Sequence, residues 1–185
     1  MVKNVIFAFH SVPSKLWFKK IINSIGKVYR FIEYDSLLSI IEKEQKNDNF
    51  CHITFDDGDR TFFSNALPTL IKYNIPSTLF LSPKIIKNNN NFWFQDLAYL
   101  LFKLDSKTII SFMAEFLNLD FDIIRNYGVQ PIFKCLRFED IKTSIDRLYK
   151  INGLPRTTYQ NITLGNLKDI IETSIVQIGA HTNNH

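Results

Sequence analysis

The chain has 185 residues, 45% of them hydrophobic and 14% aromatic, which is enough to bury one substantial core and excludes a disordered segment. Lys and Arg number 22 against 18 Asp and Glu, for a formal net charge of +4. The basic residues are scattered in short pairs such as Lys19-Lys20 rather than gathered into a phosphate-reading patch, so nucleic acid is not an expected partner. The two cysteines, Cys51 and Cys135, lie far apart and outside any CxxC arrangement, which argues against a disulfide framework or a thiolate zinc site and for buried free thiols. The opening MVKNVIFAFHSVP has too short an apolar run for a secretory leader, and no run approaches the ~20 apolar residues of a membrane span; the expected compartment is the cytoplasm.

In chain order, the first β-type run is Asn4–Phe9 (NVIFAF). A helix over Leu16–Ile25 follows, with Leu16, Trp17, Ile21, Ile22 and Ile25 at helical spacing, and another over Ser36–Lys46 behind Asp35 as N-cap. The strand His52–Phe55 (HITF) precedes a helical stretch Arg60–Asn74, in which Pro68 must occupy a first turn or leave a kink. A third strand is expected over Ser77–Leu81 and a fourth over Val176–Ala180. Strands alternating with helices imply βα units and a parallel sheet, with functional groups at the C-terminal ends of the strands. Between Ser82 and Thr163 the pattern changes: KNNNN (Lys87–Asn91) reads as a polar loop, and helices are expected over about Phe92–Leu104, Thr108–Leu117, Ile123–Asn126 and Phe138–Lys150. This reads as a helical insertion, about 83–162, within a single domain spanning 1–185. A last helix begins near Thr163.

Two clusters carry chemistry. In CHITFDDGDR, Thr54 and Asp56 share one face of the strand while Phe55 takes the other, and Asp57 falls where the strand gives way to a turn that Gly58 permits. Two adjacent carboxylates entering one pocket are tolerable when a cation lies between or beside them. Taken alone, Asp-Asp-Gly is more simply a turn and helix cap. The second cluster is HTNNH, His181 to His185, directly after a strand: four-residue spacing can set both imidazoles on one side, and two imidazoles with one carboxylate form a common catalytic zinc set. Two such clusters, each at a strand end, favour a metal site over two unrelated polar segments.

ITFDDG followed by a helix, then NIPSTLFL, and later IGAHTNNH resemble the first motifs of the polysaccharide deacetylases, a carbohydrate esterase family with a distorted (β/α) barrel. FAFHSVP is similar to the Tyr-His-x-Val start of many members, YRFIEYDSLLSII fits the segment before the first motif, and NFWFQDLAYLL resembles the opening of an insertion carried by one bacterial branch. The resemblance implies Asp56 as general base, Asp57, His181 and His185 as ligands of one divalent metal ion, usually zinc, and Thr182 in the hydroxyl position of the second motif. The implied reaction is hydrolysis of an N-acetyl group on an amino-sugar glycan or glycan precursor, with a backbone N–H near Phe62 or Phe63 available to an oxyanion. The residues that would bind the sugar are not identified.

The resemblance also implies later motifs, an Arg that steers the base and a His that protonates the amine, downstream of His185. The expectation is therefore an incomplete barrel, and the alternative to an enzyme is a non-catalytic carbohydrate-binding remnant on the same scaffold. A phosphoesterase is a weaker third reading, since such sites gather more ligands and two metals. Among the remaining candidates, His10 at the end of the first strand reads equally as a substrate contact and as a polar strand-end residue. His52 reads as a satisfied core histidine, and Trp93 and Phe94 as core of the insertion.

Overall fold

The computed structural model describes residues 3–43 and 49–182. Its centre is a parallel sheet of β1 (Val5–Phe9), β2 (Arg30–Phe31), β3 (Phe50–Phe55), β4 (Ser77–Leu81) and β5 (Val176–Ala180). The order is β1-β3-β4-β5, with β2 paired to the start of β3. The fold is thus mixed α/β about a central parallel sheet, as the strand–helix alternation predicts. Among the described residues the pairings run from β1 to β5 without joining those two strands. Phe9 is in register with Phe55, Phe55 with Leu79, and Leu81 with Ala180. Parallel strands in that register deliver His10, Asp56–Gly58, Ser82 and His181 to the same end of the sheet.

The described chain forms two compact units, one made of the residues up to Asn90 together with those from Gln160 on, the other of residues 91–159. In the first, the alternate residues Cys51, Ile53 and Phe55 of β3 meet a helical layer. Phe55 packs edge-on to Phe62 at 4.7 Å and against Phe18 at 5.7 Å, and Phe9 stacks on Phe55 at 5.5 Å. Aromatic contacts of this kind add roughly 0.5–1.5 kcal/mol each beyond the area they bury. The helix α1 (Lys15–Gly26) starts at Ser14, whose side chain accepts from the Trp17 N–H at 3.1 Å. Phe18, Ile22 and Ile25 are its buried stripe, whereas Leu16, expected there, is 63% exposed. Phe18 sets the helix phase by packing against both rings of the stacked Phe9–Phe55 pair.

Other boundaries shift for local reasons. The helix α2 (Tyr34–Glu42) begins two residues earlier than Asp35 as N-cap suggests, and Asp35 lies in its first turn, where a carboxylate meets the positive end of the helix dipole. The end expected for that helix, Lys46, lies outside the described residues. The stretch after β3 is not one α-helix: Phe62–Ala66 forms a π turn that runs into α3 (Leu67–Tyr73), with Pro68 in its first turn. Pro68 brings no N–H to the ladder, and the Leu67 N–H reaches back five residues to the Phe62 carbonyl. Pro83 likewise opens a helix absent from the sequence expectation, α4 (Pro83–Asn88), which shortens the polar loop to Asn89–Asn91. In this unit, α10 (Leu164–Glu172) carries a reciprocal Thr163–Asn166 cap before β5.

The second unit consists of α5 (Trp93–Lys103), α6 (Ser106–Leu117), α7 (Phe121–Tyr127), α8 (Val129–Lys134) and α9 (Phe138–Ile151) around its own core of Leu97, Leu100, Ile109, Met113, Phe133 and Leu148. Trp93 stacks on Phe133 at 6.3 Å, a packing role rather than an open sugar platform. The Tyr149 hydroxyl donates to Asp96 at 3.1 Å, and burial pushes the Asp96 carboxyl above its usual range. No helix among the described residues is long and apolar enough to cross a membrane.

Candidate active site

At the end of β3 the Asp56 N–H continues the ladder by donating to the Phe9 carbonyl at 2.8 Å, so Asp56 still belongs to the sheet and its side chain projects beside β1. The chain then turns sharply. Asp57 has φ +70° and Gly58 φ +72°, and the Gly58 N–H donates to the Asp56 carbonyl at 2.9 Å. Asp tolerates the left-handed region better than most residues because its short side chain can bond locally. The turn sends two adjacent carboxylates in different directions, Asp56 towards β1 and Asp57 inward, where it is 3% exposed.

Each carboxylate meets a histidine. Just past β5, the His181 N–H donates to the Leu81 carbonyl at 2.8 Å, which fixes the backbone at the exit of the last strand. Its Nε2 lies 3.4 Å from Asp57 Oδ1, and both atoms are buried. Two ligands held about 2.1 Å from a tetrahedral ion stand about 3.4 Å apart. The pair therefore fits two corners of a zinc-type coordination shell, one anionic oxygen and one imidazole nitrogen. On the other side, His10 Nε2 lies 3.8 Å from Asp56 Oδ2; the His10 side chain is 64% exposed and that of Asp56 19%. The reach between these two is what β1–β3 pairing dictates, because Phe9 and Phe55, the preceding residues, are register partners.

Of the predicted site residues, Asp56, Asp57 and His181 lie together; His185 is outside the described residues, and among those described no group of three metal-ligating side chains occurs. The Phe62 N–H, considered for an oxyanion, donates to the Asp59 carbonyl at 2.9 Å and is thereby committed, while the Phe62 ring packs in the core. His52 is a core histidine, 1% exposed: its Nδ1 lies 2.8 Å from the Ile32 carbonyl and its Nε2 2.9 Å from the Thr78 hydroxyl. The sequence left the role of His10 undecided. The signal for its nearness to Asp56 is the parallel between VIFAFH and CHITFD, in which two strands end on Phe and a polar residue.

The profile of the polysaccharide deacetylases matches residues 43–185. The chain belongs to the polysaccharide deacetylase family. Solved structures of members of this fold align along almost the whole chain. The structure of IcaB from Ammonifex degensii aligns with a TM-score of 0.55 at 13% identity, over 98% of this chain and 54% of that one. The Streptococcus pyogenes deacetylase PplD, in complex with acetate, gives 0.53 at 14% identity, over 100% and 58%. A de-N-acetylase from Aggregatibacter actinomycetemcomitans gives 0.53 at 11% identity, over 99% and 56%. This polysaccharide deacetylase chain thus spans a little over half the length of the solved structures it matches. At these identities the likeness is one of fold. No curated protein matches the chain.

Proposed function

We propose that the protein is a metal-dependent hydrolase that removes N-acetyl groups from an amino-sugar glycan or glycan precursor. The observation that carries the reading is the 3.4 Å approach of Asp57 Oδ1 and His181 Nε2 at the same sheet end as Asp56. Family membership supports the reaction class, and a matched deacetylase structure holds acetate, the product such a hydrolysis releases.

In this reading Asp57, His181 and His185 hold one divalent ion, with zinc the best match to an oxygen-and-imidazole set. The chemistry the ion supplies when bound is polarisation of the acetamide carbonyl and acidification of water. Asp56, kept out of the ligand set by the left-handed turn at Asp57, accepts the proton of the attacking water. His10, exposed and 3.8 Å from Asp56, contacts the substrate and returns a proton to the departing nitrogen. Atoms balance as amide plus water to acetate plus a free amine. This gives His10 the task that the family resemblance assigns to a downstream histidine.

Acetate release from N-acetylated oligosaccharides by the metal-loaded protein tests the proposal. Asp56→Asn is expected to keep the metal and lose about 10²–10⁴-fold in turnover, the range for one general base. Wild-type turnover in Asp56→Asn would overturn the assignment.

A further inference from the structure

The loop after β1 is held at one residue. The Val12 N–H donates to the Thr61 hydroxyl at 2.8 Å, and the Val12 carbonyl accepts from the Asn65 side-chain amide at 2.7 Å. Its side chain is fully buried in the sheet unit's core, and Pro13 confines its backbone to extended conformations. The clamp is itself oriented. The Thr61 hydroxyl donates to Asp59 Oδ1 at 2.5 Å, and the Thr61 N–H donates to the same oxygen at 2.8 Å. With its only proton committed to the carboxylate, that hydroxyl can offer Val12 nothing but a lone pair. Asn65 lies in the π turn, a wide-turn geometry that recurs at functional sites.

Val12 is two residues from His10. The His10 ring is largely exposed, so packing does not fix it, and its position must come from its backbone. That backbone is held before the residue by the Asp56 N–H on the Phe9 carbonyl, and after it by the Val12 clamp.

We propose that Thr61 and Asn65, oriented by Asp59, are positioning residues that keep His10 against Asp56. The inference rests on the reading in which Asp56 and His10 move the protons of hydrolysis. Misplacing a catalytic group by about 1 Å can cost on the order of 10²-fold in rate, so a loosened clamp should be visible in turnover.

Thr61→Val removes the hydroxyl and keeps the shape. Expected are a Val12 amide that exchanges at least about tenfold faster, and kcat lower by about 10–100-fold with KM within about twofold. Thr61→Ser, which retains the hydroxyl, should recover both. In a His10→Ala background, Thr61→Val should add almost nothing, because the two act through one contact. If Thr61→Val does not fold, Asn65→Ala reads the same couplings from the carbonyl side. Unchanged Val12 exchange, or a kcat loss fully additive with that of His10→Ala, would overturn the proposal. Failure of the underlying functional reading is seen separately, as wild-type turnover in Asp56→Asn.

Discussion

Gly58→Ala is the substitution whose effect can be worked most fully from the structure. Gly58 sits at φ +72°, and a Cβ built there would lie 2.5 Å from Leu81 Cδ2. An L residue held in the left-handed region costs roughly 1–2 kcal/mol. Leu81 cannot simply move aside, since it is 4% exposed and within the core. Forcing a methyl against it is an overpacking costing about 1–3 kcal/mol. Together the two effects predict a loss of about 2–5 kcal/mol, a large part of the 5–15 kcal/mol typical of a domain. The same displacement reaches the site, because the Leu81 carbonyl receives the His181 N–H, so metal affinity should fall with stability. Urea unfolding followed by circular dichroism measures the loss. Gly58→Ala combined with Leu81→Ala should lose less than the sum of the single changes, by about 1–3 kcal/mol, because the second substitution removes the clash. A change under about 0.5 kcal/mol in Gly58→Ala, the range of ordinary surface substitutions, would refute the reasoning.

Cys51 is buried and its thiol is pushed up to about 12 by desolvation, whereas Cys135 is exposed. Iodoacetamide at pH 8 should label Cys135 alone in the native protein and both thiols after denaturation, read by mass spectrometry; native labelling of Cys51 would contradict its placement in the core. Asp105 caps α6 by accepting from both the hydroxyl and the N–H of Thr108, and the hydroxyl above all holds its carboxyl below the usual range. A depressed folded-state pKa gives stability that is present above the ordinary carboxylate value and lost as pH falls through the folded one. The gap in melting temperature between wild type and Asp105→Ala should therefore stay constant near neutrality and close in acid, and a gap unaltered down to pH 2 would contradict the cap.

Much of the sheet was readable because β-type runs alternate with helical ones: HITF, STLFL and VQIGA all fall within strands, and the polar residues that follow them meet at one sheet end. Asp56 and Asp57 could be read as a site because the glycine after them announces the turn that separates them. What the sequence hid was decided by partners distant in the chain. Leu16 and Phe18 are both apolar, and only the stacked Phe9–Phe55 pair, against which Phe18 packs, selects Phe18 for the core. The π turn was concealed because Pro68 marks a break without saying whether the chain kinks or widens. Pro83 reads as a helix breaker until Ile85 and Ile86 find a core to enter. Thr61 and Asn65 sit inside an apparently ordinary helix, and their part in holding Val12 becomes visible only when the loop after β1 is in place. His10 is the clearest case, a lone histidine in sequence that strand register sets beside the carboxylate of Asp56.

Anomalous diffraction from crystals grown with zinc tests the central claim most directly. The predicted result is a single strong peak between Asp57 Oδ1 and His181 Nε2, with Asp56 outside the coordination shell, and loss of that peak in Asp57→Ala. A density map at saturating zinc with no ion between these two side chains would contradict the account.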